Sequence, residues 1–155
     1  MLKKFDYVLA RIMEVIMTVS LLLTVTVTFM QVLFRYVLST PLPWAQEFLM
    51  LCFVYSIFSG ATVLVYRNEH LTVDLFDNLK EGSDKLLKVL ECVVAITVLG
   101  VFVYFGMELV NQNFKTGQTL GLLPLQRAYL YMAIPVSATV MIYFYIRRFF
   151  SIWSG

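Results

Sequence analysis

Charge is scarce in this chain: 14% of its 155 residues are Asp, Glu, Lys or Arg. Soluble domains carry about a quarter charged residues, so the shortage excludes a soluble enzyme, a disordered chain and a sequence-reading nucleic-acid protein. There is a single histidine, His70. One imidazole cannot supply the two axial ligands of a membrane b-type haem, which all but removes a haem-bearing respiratory anchor. Its expected role is a local hydrogen bond to Glu69, Asp74 or backbone. Two cysteines, Cys52 and Cys92, fall at opposite levels of separate apolar runs. Helix rise sets them roughly 25 Å apart, beyond the reach of a disulfide, so they read as small packing residues. The sequence carries no Cys/His metal cluster and no nucleophile-elbow, Walker or HExxH pattern. No cofactor, metal or catalytic residue is expected.

What is abundant is apolar surface. Hydrophobic residues make up 60% and aromatics 15% of the chain, and the mean hydropathy is +0.80. Four stretches hold no charge at all: Val15–Phe34 (20 residues), Phe48–Tyr66 (19), Cys92–Met107 (16) and Ala128–Ile146 (19). A helix needs roughly 20 mainly apolar residues to cross a hydrocarbon core. The sequence therefore predicts an all-α membrane protein, one domain over 1–155, with four transmembrane helices at about 14–35, 47–66, 91–109 and 127–147. With the N-terminus inside, nine basic residues (Lys3, Lys4, Arg11, Arg67, Lys80, Lys85, Lys88, Arg147, Arg148) face the cytoplasm. Three (Arg35, Lys115, Arg127) face outward. That asymmetry predicts both termini inside. Lys3 and Lys4 before an apolar run also fit a cleaved signal peptide, but Val15–Phe34 is too long for a signal core and no small-x-small site follows. It is expected to be a retained first helix.

Along the chain, Met1–Glu14 is amphipathic, with Phe5, Leu9 and Ile12 on one side of a helix, and is expected to lie in the inner interface and run into the first span. The first span carries Ser20, Thr24, Thr28, Gln31 and Arg35 on one helical face. That stripe serves either packing within the chain or contact with another subunit. The outer loop holds Arg35-Tyr36, Pro41-Leu42-Pro43-Trp44 and Glu47; the prolines enforce extended backbone, and Arg35 and Glu47 are placed to pair across it. Cys52, Ser56 and Gly60 make a small-xxx-small face on the second span. The inner loop Arg67–Glu91 predicts an amphipathic interfacial segment between helices 2 and 3, resting on anionic lipid through Lys80, Lys85 and Lys88. Gly82-Ser83-Asp84 is expected to break it. Glu108–Arg127, with Gly117, Gly121 and Pro124, is expected to be turn-rich rather than helical. Pro135 sits inside the fourth span and predicts a kink or local loosening.

A translocation path shows ionisable groups at mid-membrane or paired broken helices. Here Glu14, Glu47, Glu91 and Glu108 all fall at span ends. A chain of this kind packs, braces and binds, but supplies no coupled substrate site of its own. The alternative is a small four-helix proton-coupled multidrug exporter, for which Glu14 is the one candidate carboxylate in the first helix.

Several spaced motifs then coincide. Arg35-Tyr36, Pro41-Leu42-Pro43-Trp44 and Glu47 come first. Gly60-Ala61, Arg67 and His70-Leu71-Thr72-Val73-Asp74 follow, and then Gly117, Thr119, Leu123-Pro124, Tyr131 and Ile134-Pro135. In this order the chain resembles the small membrane subunit, the DctQ-like or Q subunit, of tripartite ATP-independent periplasmic (TRAP) transporters. The family often has two acidic residues after the Trp, where Gln46-Glu47 stands here, and commonly a Trp where Tyr55 stands. The resemblance implies a secondary transporter of the bacterial inner membrane. A periplasmic substrate-binding protein captures an organic acid, of the C4-dicarboxylate or sialic acid class, and docks on two membrane subunits. The large TRAP membrane subunit holds the substrate and sodium sites and moves the substrate inward. The small subunit braces the fixed part of an elevator-type machine, surrounded by membrane lipids. Partner-interface residues expected on this reading are Arg35, Trp44, Glu47, Gly60, Arg67, His70 and Asp74.

Overall fold

A computed structural model describes residues 2–67 and 81–153. The apolar runs fold as four helices, α1 (Leu2–Tyr36), α2 (Ala45–Arg67), α3 (Glu81–Thr116) and α4 (Arg127–Trp153). A hairpin of two short antiparallel strands, β1 (Thr119–Leu120) and β2 (Leu123–Gln126), lies between α3 and α4. All four helices are long and apolar enough to cross a membrane, over Lys4–Tyr36, Ala45–Arg67, Val89–Thr116 and Arg127–Phe150.

The helices form a row rather than a closed bundle. α1 packs on α2, α2 on α4 and α4 on α3, while α2 and α3 make little direct contact. In the apolar stretches of α1 and α3 only 6% and 11% of residues are buried, against 33% and 44% in α2 and α4. The central pair is therefore α2 and α4. The flanking helices are also the longer ones. At 35 and 36 residues they reach about 52 and 54 Å, well beyond a hydrocarbon core of about 30 Å, so each projects past the bilayer or tilts within it.

The core sits at one end of the row, where all four helices meet. Ala10 of α1, Val65 of α2, Cys92 of α3 and Met141, Phe144 and Tyr145 of α4 are buried together. Cys52 and Cys92 are buried and unlinked. Close approach elsewhere depends on glycine. A Cβ on Gly60 would lie 3.2 Å from Met17 Sδ of α1, and one on Gly106 would lie 3.2 Å from Pro135 Cδ of α4. The rigid proline ring thus fills the notch that Gly106 leaves in α3, and α4 runs through Pro135 as one helix.

Two local expectations are corrected. α3 is continuous through Gly82-Ser83-Asp84, so no break separates Lys85 and Lys88 from the span. Its other end runs on past Glu108 to Thr116, so the first part of that loop is helical, and a short hairpin with turns at Gly117 and Gly121 takes up the rest. Met1–Glu14 is expected to run as an amphipathic helix from the inner interface into the first span. From Leu2 on it is the unbroken start of α1, with Ala10 and Met13 buried and Phe5 and Ile12 exposed. His70, Asp74 and the remainder of the predicted interfacial segment up to Lys80 lie outside the described residues.

Candidate functional site

The two ends of the row differ in chemistry. At the hairpin end, Pro41 and Pro43 keep the chain non-helical, and α2 begins at Ala45, whose N–H reaches Leu42 O at 3.3 Å. Glu47 stands in the first turn of α2, where the helix dipole favours negative charge. Its carboxylate accepts the Leu122 N–H (3.1 Å to both oxygens) and the Leu123 N–H (2.9 Å). The hairpin tip is therefore pinned over the start of α2. Gly121 makes this possible on two counts: its φ is +54°, and a Cβ there would lie 2.6 Å from Glu47 Oε1. The Arg127 N–H closes the hairpin base on Gln118 O at 2.9 Å.

Arg35 and Glu47 do not pair. Glu47 is engaged by backbone amides, which offer three charge-assisted contacts without immobilising a long side chain. Arg35 instead ends α1 with its guanidinium 5.7 Å from the centre of the Tyr36 ring. Trp44, exposed, packs edge-on against Phe48 at 6.4 Å. The exposed apolar side chains at this end include Tyr36, Val37, Leu38 and Leu122. Inward from the hairpin, the Tyr55 hydroxyl donates to Tyr129 O at 2.8 Å and ties α2 to α4.

At the opposite end, ion pairs link the helices. Asp6 of α1 pairs with Arg147 of α4 and accepts the Tyr143 hydroxyl at 2.9 Å. Glu14 of α1 accepts Arg11 Nη1 at 2.6 Å and Arg67 Nη2 of α2 at 3.2 Å. Arg148 of α4 reaches Glu91 of α3 at 3.3 Å. Arg11 and Arg67 are largely exposed, and such pairs contribute about 1 kcal/mol or less each. They set helix register more than they hold the fold together. Two guanidinium groups on Glu14 also compete with any cationic substrate for that carboxylate, which weakens the exporter alternative.

The polar stripe of α1 is covered in part within the chain. Ser20, Thr24 and Gln31 are half-buried, whereas Thr28 and Arg35 are exposed. The Thr24 and Thr28 hydroxyls donate to the carbonyls of Ser20 and Thr24, one turn back. Those donors are consumed inside the helix.

Of the expected interface residues, the structure brings Arg35, Trp44 and Glu47 to the hairpin end and Arg67 to the other. Gly60 is filled from within the chain by Met17. Sequence reasoning missed the Glu47 contact with Leu122 and Leu123; Gly121 between two Leu-containing runs was its one available signal. It also missed the Asp6–Tyr143–Arg147 group, for which the sequence holds no cue.

The motifs joined by these contacts fall inside one matched region. Residues 24–155 match the family described as tripartite ATP-independent periplasmic transporters, DctQ component. The chain belongs to the DctQ family. It is a TRAP transporter small permease subunit, in a family of transporter components rather than enzymes. It is 30% identical over 120 residues to the sialic acid TRAP transporter permease protein SiaT of Haemophilus influenzae (strain 86-028NP). That match takes in 76% of this chain, which spans 19% of the length of SiaT. It is 24% identical over 142 residues to a protein of Haemophilus influenzae (strain ATCC 51907 / DSM 11121 / KW20 / Rd) named as a TRAP transporter small permease protein. There the match covers 91% of this chain and 84% of the relative. The Glu47–hairpin contact joins the first and third motifs of this DctQ-family chain across 75 residues of sequence.

Proposed function

We propose that this small permease subunit is the scaffold partner of a large TRAP membrane subunit in a sodium-coupled secondary transporter. The transporter imports an organic acid, of the sialic acid or C4-dicarboxylate class, delivered by a periplasmic binding protein. The chain lies in the bacterial inner membrane with both termini in the cytoplasm and holds no substrate site itself. One observation carries the reading: four of the described carboxylates are spent on contacts within the chain. Asp6, Glu14 and Glu91 take arginines, and Glu47 takes the hairpin amides. The remaining described carboxylate side chain, Glu108, is exposed on α3 toward its hairpin end rather than at the middle of the span.

The charge asymmetry supports the orientation. Arg11, Arg67, Arg147 and Arg148 gather at the end that carries both chain termini, as cytoplasmic basic residues do. SiaT, named for sialic acid, favours that substrate class. Arg35 and Trp44 at the hairpin end, Arg67 at the end of α2, and His70 and Asp74 beyond it in the sequence contact the large subunit. Glu47 and Gly60 act indirectly, by fixing the hairpin and the α1–α2 spacing. Deleting this chain while the large subunit stays at its normal level should abolish sodium-driven uptake. Uptake that persists in that strain rules the scaffold reading out.

A further inference from the structure

Among the described residues, the row is concave between α2 and α3. α2 and α3 both lie on α4 without closing on each other, and between them runs a groove of about 510 Å³. Three alanines, one from each helix, form its floor: Ala61, Ala95 and the fully packed Ala138. Its rim is exposed Ile57, Val98 and Phe102. Its charged member is Glu91 at one end, and that carboxylate is already held by Arg148. From Glu91 to Phe102 the groove follows α3 for about 16 Å, within the stretch of α3 that is apolar enough to cross a membrane.

We propose that this groove seats an apolar transmembrane helix of the large permease subunit. The inference rests on the pairing proposed above and names the face that does it. Small residues that let backbones approach are what drives helix association in lipid, where apolar surface by itself gives no preference for protein over acyl chains. An alanine from each of three helices meets that need; a helix laid in the groove completes a four-helix cluster with α2, α4 and α3. The outer side of α1 offers the opposite, a convex ridge of exposed Leu22, Val25 and Phe29 suited to lipid. The relative SiaT also carries about four-fifths of its length beyond the part this chain matches. A neighbour that large, in the same polypeptide, has helices to spare for such a seat.

The test is co-purification of the large TRAP subunit of the same cell with tagged full-length chain in mild detergent. The unaltered chain should retain the large subunit. Ala61→Trp and Ala95→Trp, which fill the floor, should lower its recovery by about tenfold or more, and Leu22→Trp on the ridge of α1 should not. Because a tryptophan in the floor can also disturb the fold, photo-crosslinking residues introduced singly at Ile57 and Val98 give a milder readout. They should join the chain to the large subunit, and the same group at Leu22 should not. Failure of the unaltered chain to retain the large subunit overturns the pairing and this proposal with it. Retention with full recovery in both floor variants, and no crosslink from the rim, overturns the groove alone. A phospholipid crosslinked at the rim instead of protein has the same consequence and names lipid as the occupant.

Discussion

Glu47 Oε1 lies where a side chain at position 121 would have to be: a Cβ built on Gly121 comes within 2.6 Å of it. The glycine and the carboxylate are therefore a matched pair, one clearing space and the other using it to hold the Leu122 and Leu123 amides. Gly121→Ala meets both the steric conflict and a φ of +54°, and is expected to cost about 1–3 kcal/mol. Glu47→Ala removes the acceptor and is expected to cost a similar amount, and Glu47→Gln less, since one oxygen still accepts. Thermal unfolding of the detergent-purified chain ranks the three.

Gly60 and Met17 form the corresponding contact between α1 and α2. The atom a Cβ would meet is a thioether sulfur on a flexible side chain, so Gly60→Ala is expected to be tolerated within about 1 kcal/mol. Gly60→Leu overpacks the contact at about 1–3 kcal/mol, and Met17→Ala should recover part of that loss. A double-mutant cycle on unfolding temperature measures the coupling; strict additivity contradicts the contact.

Gly106 faces a harder neighbour. Pro135 Cδ is part of a ring and cannot swing away, so Gly106→Leu should separate α3 from α4 and cost more than Gly60→Leu. The comparison of the two melting shifts checks it.

Glu14 separates the scaffold from the exporter alternative. Its carboxylate is shared by Arg11 and Arg67 at 2.6 and 3.2 Å, an exposed arrangement worth about 1 kcal/mol or less. Glu14→Gln is therefore expected to leave organic-acid uptake by the whole transporter within about twofold. A loss of transport confined to this substitution, with the complex intact, favours proton exchange at Glu14 instead.

The four helices were legible because charge-free runs of 16 to 20 residues admit no other structure in lipid. Their ends were not. Hydropathy locates the stretch that must be in hydrocarbon and says nothing about how far a helix continues beyond it, so neither the extension of α3 to Thr116 nor its continuity through Gly82-Ser83-Asp84 could be read from it. The hairpin escaped notice because strands of two and four residues carry no usable alternation. At Glu47, proximity in sequence pointed to Arg35, twelve positions away. The actual partners are amides 75 and 76 positions on, brought there by the α3–α4 connection. Long-range backbone contacts of this kind leave no trace in side-chain chemistry.

The most direct test of the scaffold account is reconstitution into sodium-loaded and sodium-free vesicles, with a labelled sialic acid and a labelled C4-dicarboxylate as probes. This chain by itself should accumulate neither. Adding the large subunit and the periplasmic binding protein, with sodium outside, should produce uptake of one of them. Accumulation of either probe by this polypeptide unaccompanied contradicts the account.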